Sequence, residues 1–122
     1  MPMQTPRIPI WVGGSSQRKG PVRRAARWDG VVPVPIPTGN GGRHLTAAEV
    51  RHLRQAIESR RTERGLFDVA LGGLARGPDW EEERAHIASV AEAGATWWME
   101  GLPAADGAIM RAAIERGPLR VD

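Results

Sequence analysis

The stretch IPIWVGGSS, residues 8–16, decides how the rest of the chain is interpreted. Its first five residues are apolar on both faces, which predicts a short buried parallel strand at residues 8–12. A turn and then a helix at residues 17–28 are expected to follow. The turn consists of Gly13, Gly14, Ser15 and Ser16. Such a turn is typical of a tight strand-to-helix connection, but its N–H and hydroxyl groups also suit an anion or phosphate, and the residues leave both interpretations open.

The composition is that of an ordinary soluble domain. The chain has 122 residues, 41% of them hydrophobic and 25% charged, with a formal net charge of +3. This length allows one domain but is well short of a complete eight-stranded α/β barrel, which takes about 250 residues. The sequence has no cysteine, so disulfides and thiolate metal sites are excluded.

The charge pattern and the N-terminus restrict the partners that we expect. Arg54 and Glu58 exemplify a helix on which basic and acidic residues interleave, as is typical of a solvated face, and we expect no nucleic-acid partner. The first seven residues lack the basic and apolar segments of a signal peptide, and no apolar run approaches the roughly 18 residues of a membrane span. We therefore expect a cytoplasmic protein with no membrane contact.

Strand and helix patterns alternate four times along the chain. After the first unit, strands are predicted at residues 31–34, 66–71 and 95–100. Their helices are expected to begin after Thr46, after Asp79 and near Ile109, and to end at Gly65, Gly94 and Gly117. The prediction is a parallel α/β sheet in one domain. Residues 1–7 form an extended lead-in, residues 8–117 four βα units and residues 118–122 a tail.

Three parts of the sequence together resemble the luciferase-like monooxygenase family. They are PIWVGGSS (residues 9–16), RRAARWDG (residues 23–30) and AGATWW (residues 93–98), and the similarity spans residues 9–114. The family consists of (β/α)8 TIM-barrel oxidoreductases that use flavin mononucleotide (FMN) or a deazaflavin coenzyme. The resemblance implies the C-terminal half of such a barrel, holding strands five to eight.

The resemblance also implies a cofactor site. In the family the turn after the fifth strand contacts the cofactor phosphate, and the matching residues here are Gly13, Gly14, Ser15 and Ser16. The implied function is that of a flavin- or deazaflavin-dependent monooxygenase or oxidoreductase, with no metal. The sequence does not indicate the catalytic residues or the substrate.

The family's first four strands have no counterpart in these 122 residues. Four parallel strands with helices outside would leave one sheet face and two edges uncovered. The alternatives are a truncated or split product without catalysis, or an assembly module that completes a barrel with a second copy or a complementing half-barrel chain.

Few other polar residues suggest a site. His44, His52 and His86 share no metal-ligand spacing, and His52 and His86 are expected on exposed helix faces. Residues 35–44 are predicted to form a long loop at the rim, which is the edge of the sheet where the C-terminal ends of the strands lie. His44 lies beside this rim loop and is a candidate pocket residue. Asp29 is interpreted as a turn former. Glu100 is expected at the rim, where an ion pair with Arg43 or Arg76 is its simplest use.

Overall fold

The computed structural model describes residues 3–36, 42–102 and 106–121. Within these ranges four strands alternate with four helices, as the sequence pattern predicts. The elements are β1 (Trp11–Ser15), α1 (Lys19–Ala25), β2 (Gly30–Val34), α2 (Ala47–Glu58), β3 (Asp68–Ala75), α3 (Trp80–Glu92), β4 (Trp97–Gly101) and α4 (Gly107–Arg116). The strands form one parallel sheet in the order β1-β2-β3-β4. The α/β class with parallel βα units is thus confirmed.

The hydrophobic core lies between one face of this sheet and the first three helices. It joins Val31 and Val69 of the central strands to the apolar sides of α1, α2 and α3. In α2 the predicted residues Val50, Leu53 and Ile57 are buried. The predicted caps are also confirmed: Thr46 and Glu49 form a capping box, and the carboxylate of Asp79 accepts two N–H groups at the start of α3.

The other sheet face carries a smaller apolar cluster at the N-terminal ends of the strands. The side chains of Trp11 in β1 and Trp97 in β4 extend toward each other across this face, and their ring centroids are 5.7 Å apart. Gly30 leaves room for the Trp11 ring over β2, because a Cβ at that position would lie 2.6 Å from Trp11 Cδ1. Ala70 in β3 is fully buried without belonging to the helix-side core.

The first strand begins later than predicted. Ile8 and Ile10 are 64% and 40% exposed, and residues 3–10 have no regular secondary structure, so the predicted strand at residues 8–12 is wrong in its bounds. The reason is the side chain of Asp29, which accepts the N–H of Ile10 (2.7 Å) and two hydrogen bonds from Arg7. Strand pairing starts only beyond this point, with Trp11 opposite Gly30.

The two glycine pairs lie within strands rather than in turns. Gly13 and Gly14 belong to β1, and Gly72 and Gly73 belong to β3. At Gly14 the absence of a side chain allows α1 to pack closely, because a Cβ there would lie 2.7 Å from Cβ of Pro21. The predicted β1–α1 turn therefore shifts to Ser16 and Gln17.

Two helix boundaries also differ from the prediction. Helix α1 is shorter than residues 17–28, because residues 26–27 close the helix with tight turns. Helix α2 ends at Glu58, seven residues before the expected stop at Gly65. By contrast, Gly94 follows α3 and Gly117 ends α4, both with positive φ, as expected of glycine C-caps.

The last helix is the least buried. In α4 only Ala113 is buried, and Ile109 and Ile114 are more than half exposed. Half of the predicted rim loop, residues 37–41, lies outside the described residues. Within the described ranges, the helices are all too short or too polar to cross a bilayer.

Candidate functional site

The C-terminal ends of the strands form the rim on which the sequence places a site. Ser15 is the last residue of β1 and lines a cleft of about 370 Å³ together with Arg18 and residues at the end of β2. Ser16, Gly13 and Gly14 do not line this cleft. The structure thus brings one of the four predicted cofactor residues to the cleft and adds Arg18 to it.

The hydrogen bonds of this turn limit which groups can hold an anion. The N–H of Ser16 donates to the carbonyl of Val34 (3.1 Å) and extends the β1–β2 pairing by one residue. The N–H of Gln17 donates to Ser15 Oγ (3.4 Å). Both N–H groups therefore have partners within the protein. Among the described residues, Ser15 Oγ takes part only in this long hydrogen bond, so its hydroxyl proton can still donate to a ligand.

Arg18 and Ser16 complete the polar groups around the turn. Arg18 is exposed at the N-cap of α1 and forms no ion pair within the described part of the chain. Ser16 Oγ is buried, and no described residue accepts or donates a hydrogen bond to it. An unpaired buried hydroxyl is costly in a folded protein, and such groups mark sites where a partner is expected.

An apolar cleft of about 260 Å³ adjoins the first one. It lies between the ends of β2 and β3, and both clefts are lined by Val34 and Pro35. Its wall includes Gly72 and Leu74, and Arg43 stands at its margin. The two clefts together combine a polar end at β1 with an apolar end at β3, which is the usual composition of a small-molecule site.

Arg43 is held by an acidic partner. Its guanidinium donates two hydrogen bonds to the carboxylate of Glu49 (2.7 and 2.8 Å), and the N–H of Thr46 donates to the same carboxylate. The hydrogen bonds from Arg43 and Thr46 lower the pKa of Glu49 to about 2. Arg43 is thereby neutralised and contributes little net charge to the cleft.

Glu100 forms the ion pair that was expected of it, and Arg76 is the partner. Arg76 Nη2 lies 2.8 Å from Glu100 Oε2 and also donates to the carbonyl of Gly117. Burial raises the pKa of Glu100, but the hydrogen bonds from Arg76 and the N–H of Leu119 outweigh it, so the pKa is lowered. The pair fastens the C-terminal segment to the end of β4 rather than facing a substrate.

His44 lies in a third cleft of about 290 Å³, as its position beside the rim loop suggests. Its ring stacks on His86 (centroids 5.3 Å apart) and contacts Trp98. Burial is the main cause of the lowered pKa of His44, and His86 lowers it further. The expectation of an exposed His86 is wrong, because its Nε2 is buried; His52 is exposed as predicted.

Asp29 acts as a structural residue. Hydrogen bonds from Arg7 and from the N–H of Ile10 lower its pKa, so the carboxylate stays ionised and fixed at the N-terminal end of the sheet.

Across the described ranges, no three acidic, histidine or cysteine side chains are arranged to hold a metal ion.

Sequence reasoning missed Arg18 and the contact between the two histidines. Arg18 directly follows the Gly-Gly-Ser-Ser-Gln stretch, so a positive charge next to a candidate anion turn was a signal available in the sequence. His44 and His86 belong to different βα units, and only the packing of α3 beside the start of α2 brings them together.

Comparison with known proteins gave no match: neither the protein-family models, nor the curated proteins, nor the solved structures contain one.

Proposed function

We propose that this chain forms the C-terminal half of a (β/α)8 barrel and binds the phosphate of FMN or of a deazaflavin coenzyme at the rim end of the stretch Gly13–Gly14–Ser15–Ser16, through Ser15 and the nearby Arg18. The implied activity is that of a flavin- or deazaflavin-dependent oxidoreductase of the luciferase-like monooxygenase type. The observation that carries the proposal is the rim cleft lined by both Ser15 and Arg18, which forms no ion pair with any described residue.

The sheet supports the barrel part of the proposal. Four parallel strands follow one another in sequence order, and α1, α2 and α3 pack against the same face. In a (β/α)8 barrel the strands have this order, the helices lie outside, and side chains from different strands fill the interior. The contact of Trp11 with Trp97 on the helix-free face is consistent with such an interior.

The rim supports the cofactor part. Arg18 offers a planar, permanently charged group that can form two hydrogen bonds with one phosphate, and Ser15 offers a hydroxyl donor. The apolar cleft beside them, with Val34 and Leu74, suits a flat aromatic ring. A bound reduced flavin or deazaflavin would supply the hydride chemistry, while the chain's own residues bind, orient and shield it from water.

The test compares FMN with riboflavin, which differs from FMN only by lacking the phosphate. Titration followed by flavin fluorescence should give tighter binding of FMN. Ser15→Ala and Arg18→Gln should each weaken FMN binding at least tenfold, because a hydrogen bond to a charged group contributes roughly 1.5–3 kcal/mol. Neither variant should change riboflavin binding, so the preference for FMN should disappear.

The matched control is Arg51→Gln, which removes the same charge from an exposed position on α2. Its FMN affinity should equal that of the unmodified chain. Equal binding of FMN and riboflavin, or an FMN affinity that Ser15→Ala and Arg18→Gln leave unchanged, would refute the rim site. If the variants do weaken FMN binding, competition between FMN and a deazaflavin coenzyme would identify the preferred cofactor.

A second candidate is a non-catalytic module that pairs with another chain to complete a barrel, either a second copy or a complementing half-barrel. The observation that favours it is that large apolar side chains of β4 and of the segment that follows it are exposed, since exposed apolar surface marks interaction sites. They are Trp97, Leu102, Ile109 and Ile114. Light scattering after size exclusion should give a complex, and Ile109→Glu with Ile114→Glu should abolish it. A compact, folded monomer would contradict the pairing.

A further inference from the structure

The outer surface of α1 and α2 has a depression that the rim site does not involve. It measures about 400 Å³ and lies near the C-terminal ends of both helices, at the opposite end of the strands from the rim. Its lining consists of Gly20, Arg23, Arg24, Ala26, Arg27 and Arg60. Four of the six lining residues are therefore arginines, and none is acidic.

Among the described residues, these arginines have no acidic partner. Within residues 3–36, 42–102 and 106–121, the ion pairs involve other arginines. Arg60 donates from one nitrogen to the carbonyl of Ala56 and to Ser59 Oγ, and no other hydrogen bond of its guanidinium occurs in this part of the chain. Arg23, Arg24 and Arg27 donate no side-chain hydrogen bonds to described residues.

The half of the chain that contains all the lining residues is poor in acidic residues. Residues 1–61 hold eleven of the seventeen basic residues and only three of the fourteen acidic ones. Two of those three, Asp29 and Glu49, are engaged by Arg7 and Arg43, and the third, Glu58, pairs with Arg54. The basic side chains of α1 thus lack the interleaved acids that make a charged helix face electrically neutral.

Helix ends explain only part of this arrangement. Each helix C-terminus carries roughly half an elementary negative charge, which stabilises nearby cations. The ends of α1 and α2 together therefore offset about one of the four positive charges. A net charge of about +3 then remains in one depression, where an anion of similar charge would relieve the mutual repulsion.

The clustering of four arginines in one depression favours a compact, multiply charged anion over carboxylates spread along a protein partner. Guanidinium groups bind phosphate oxygens in a planar two-bond geometry. Arg23 and Arg24 lie in the last turn of α1, Arg27 lies in the tight turn that follows it, and Arg60 lies just beyond the end of α2. Several guanidinium groups can therefore reach one compact anion that bears adjacent phosphates.

We propose that this arginine depression binds a small polyphosphate anion, either free tripolyphosphate or the triphosphate of a nucleotide. The site is independent of the cofactor proposal, since it uses none of the rim residues and lies at the other end of the strands.

The test is calorimetric titration of the full chain with inorganic tripolyphosphate, ATP and inorganic phosphate at one fixed ionic strength. Tripolyphosphate should bind at least tenfold more tightly than inorganic phosphate. Equal affinities for tripolyphosphate and ATP would assign free polyphosphate as the ligand, and tighter binding of ATP would assign a nucleotide. Both results support the proposal, and no preference over inorganic phosphate would overturn it.

Variants distinguish this site from general charge attraction. Arg23→Gln with Arg27→Gln should weaken tripolyphosphate binding at least tenfold, with the fold checked by circular dichroism. The matched control, Arg51→Gln with Arg111→Gln, removes two exposed arginines elsewhere that form no ion pair in the described ranges, and should change the affinity less than twofold. Equal losses in both double variants would overturn the proposal.

Two further arms exclude other locations and partners. Ser15→Ala with Ser16→Ala alters the rim turn without changing charge. If this double variant lost tripolyphosphate binding while Arg23→Gln/Arg27→Gln kept it, the anion would bind at the rim and the proposal would be overturned. A single-stranded oligonucleotide that binds more tightly than tripolyphosphate, and is not displaced by it, would indicate a nucleic-acid surface instead.

Discussion

Gly13 and Gly14 are neighbours in β1 but have different steric surroundings. A Cβ at Gly13 would have its nearest neighbour, the carbonyl oxygen of Val32, 4.0 Å away. A Cβ at Gly14 would collide with Pro21, and the φ of Gly14 is +156°. Gly14 is therefore needed for the close packing of α1 on β1. The prediction of a turn at Gly13 and Gly14 did not include this packing role.

Gly14→Ala should lower the free energy of unfolding by about 1–3 kcal/mol, the usual cost of overpacking a tight contact. Urea denaturation of the variant measures this. Gly13→Ala is the matched control, and its stability should stay within about 0.5 kcal/mol of the unmodified chain. Equal effects at the two positions would contradict the packing of Pro21 against Gly14.

At the level of elements, the starts of α2 and α3 could be predicted from sequence, whereas the limits of β1 and β3 could not. Thr46 with Glu49, and Asp79 before Trp80, are local capping signals that depend on residues only three positions apart. The start of β1 depends on the carboxylate of Asp29, which lies far along the chain. β3 extends past Gly72 because Gly72 pairs with Met99 of β4 and, after an irregularity in the register, Ala75 pairs with Gly101. Such contacts between elements leave no local signature.

The capping box of α2 should make stability depend on pH. The pKa of Glu49 is about 2 in the folded protein and lower than the ordinary value of 4.5. Its ionised form therefore stabilises the fold above about pH 4.5, and this contribution is lost as the pH falls toward 2. Glu49→Gln keeps a capping oxygen but loses the charge, and should lower the free energy of unfolding by about 1 kcal/mol at pH 6.

The difference between Glu49→Gln and the unmodified chain should vanish near pH 2, as measured by urea denaturation across the pH range. Glu81→Gln is the control, because Glu81 lies in the first turn of α3 and forms no ion pair among the described residues. A stability difference for Glu49→Gln that is the same at pH 2 and pH 6 would refute the role of its charge.

The ion pair at the end of β4 gives a second prediction for elements. The side chain of Arg76 is only 7% exposed, so Glu100→Ala would leave its charge buried without an acidic partner. We expect a loss of about 3 kcal/mol in the free energy of unfolding. The double variant Arg76→Leu/Glu100→Leu should lose much less, because it leaves no buried charge. Additive losses from the two single changes would contradict this pairing.

At the scale of the whole molecule, the alternation of strands and helices predicted the parallel sheet, and the order of its strands follows the order of the chain. The contact across the open face was not predicted. Trp97 and Trp98 are neighbours in β4 and face opposite sides of the sheet: Trp98 packs with the helix-side core, whereas Trp97 contacts Trp11. That meeting depends on Gly30, whose missing side chain leaves space for an indole ring.

A double-mutant cycle on Trp11→Ala and Trp97→Ala tests this contact. Aromatic pairs contribute about 0.5–1.5 kcal/mol beyond the area they bury, so the two substitutions should be coupled by that amount. Unfolding by urea, followed by far-ultraviolet circular dichroism, measures all four proteins. Additivity within about 0.3 kcal/mol would show that the two rings do not meet in solution.

The same tryptophan pair sets an order of assembly. Each pair of neighbouring strands arises from a βα unit that is continuous in sequence, so the sheet can grow one unit at a time from either end. The indole rings come from the first and last strands and can touch only when all four strands are aligned. Their contact therefore requires the whole sheet, and a chain in which one unit has not docked would leave the two rings apart.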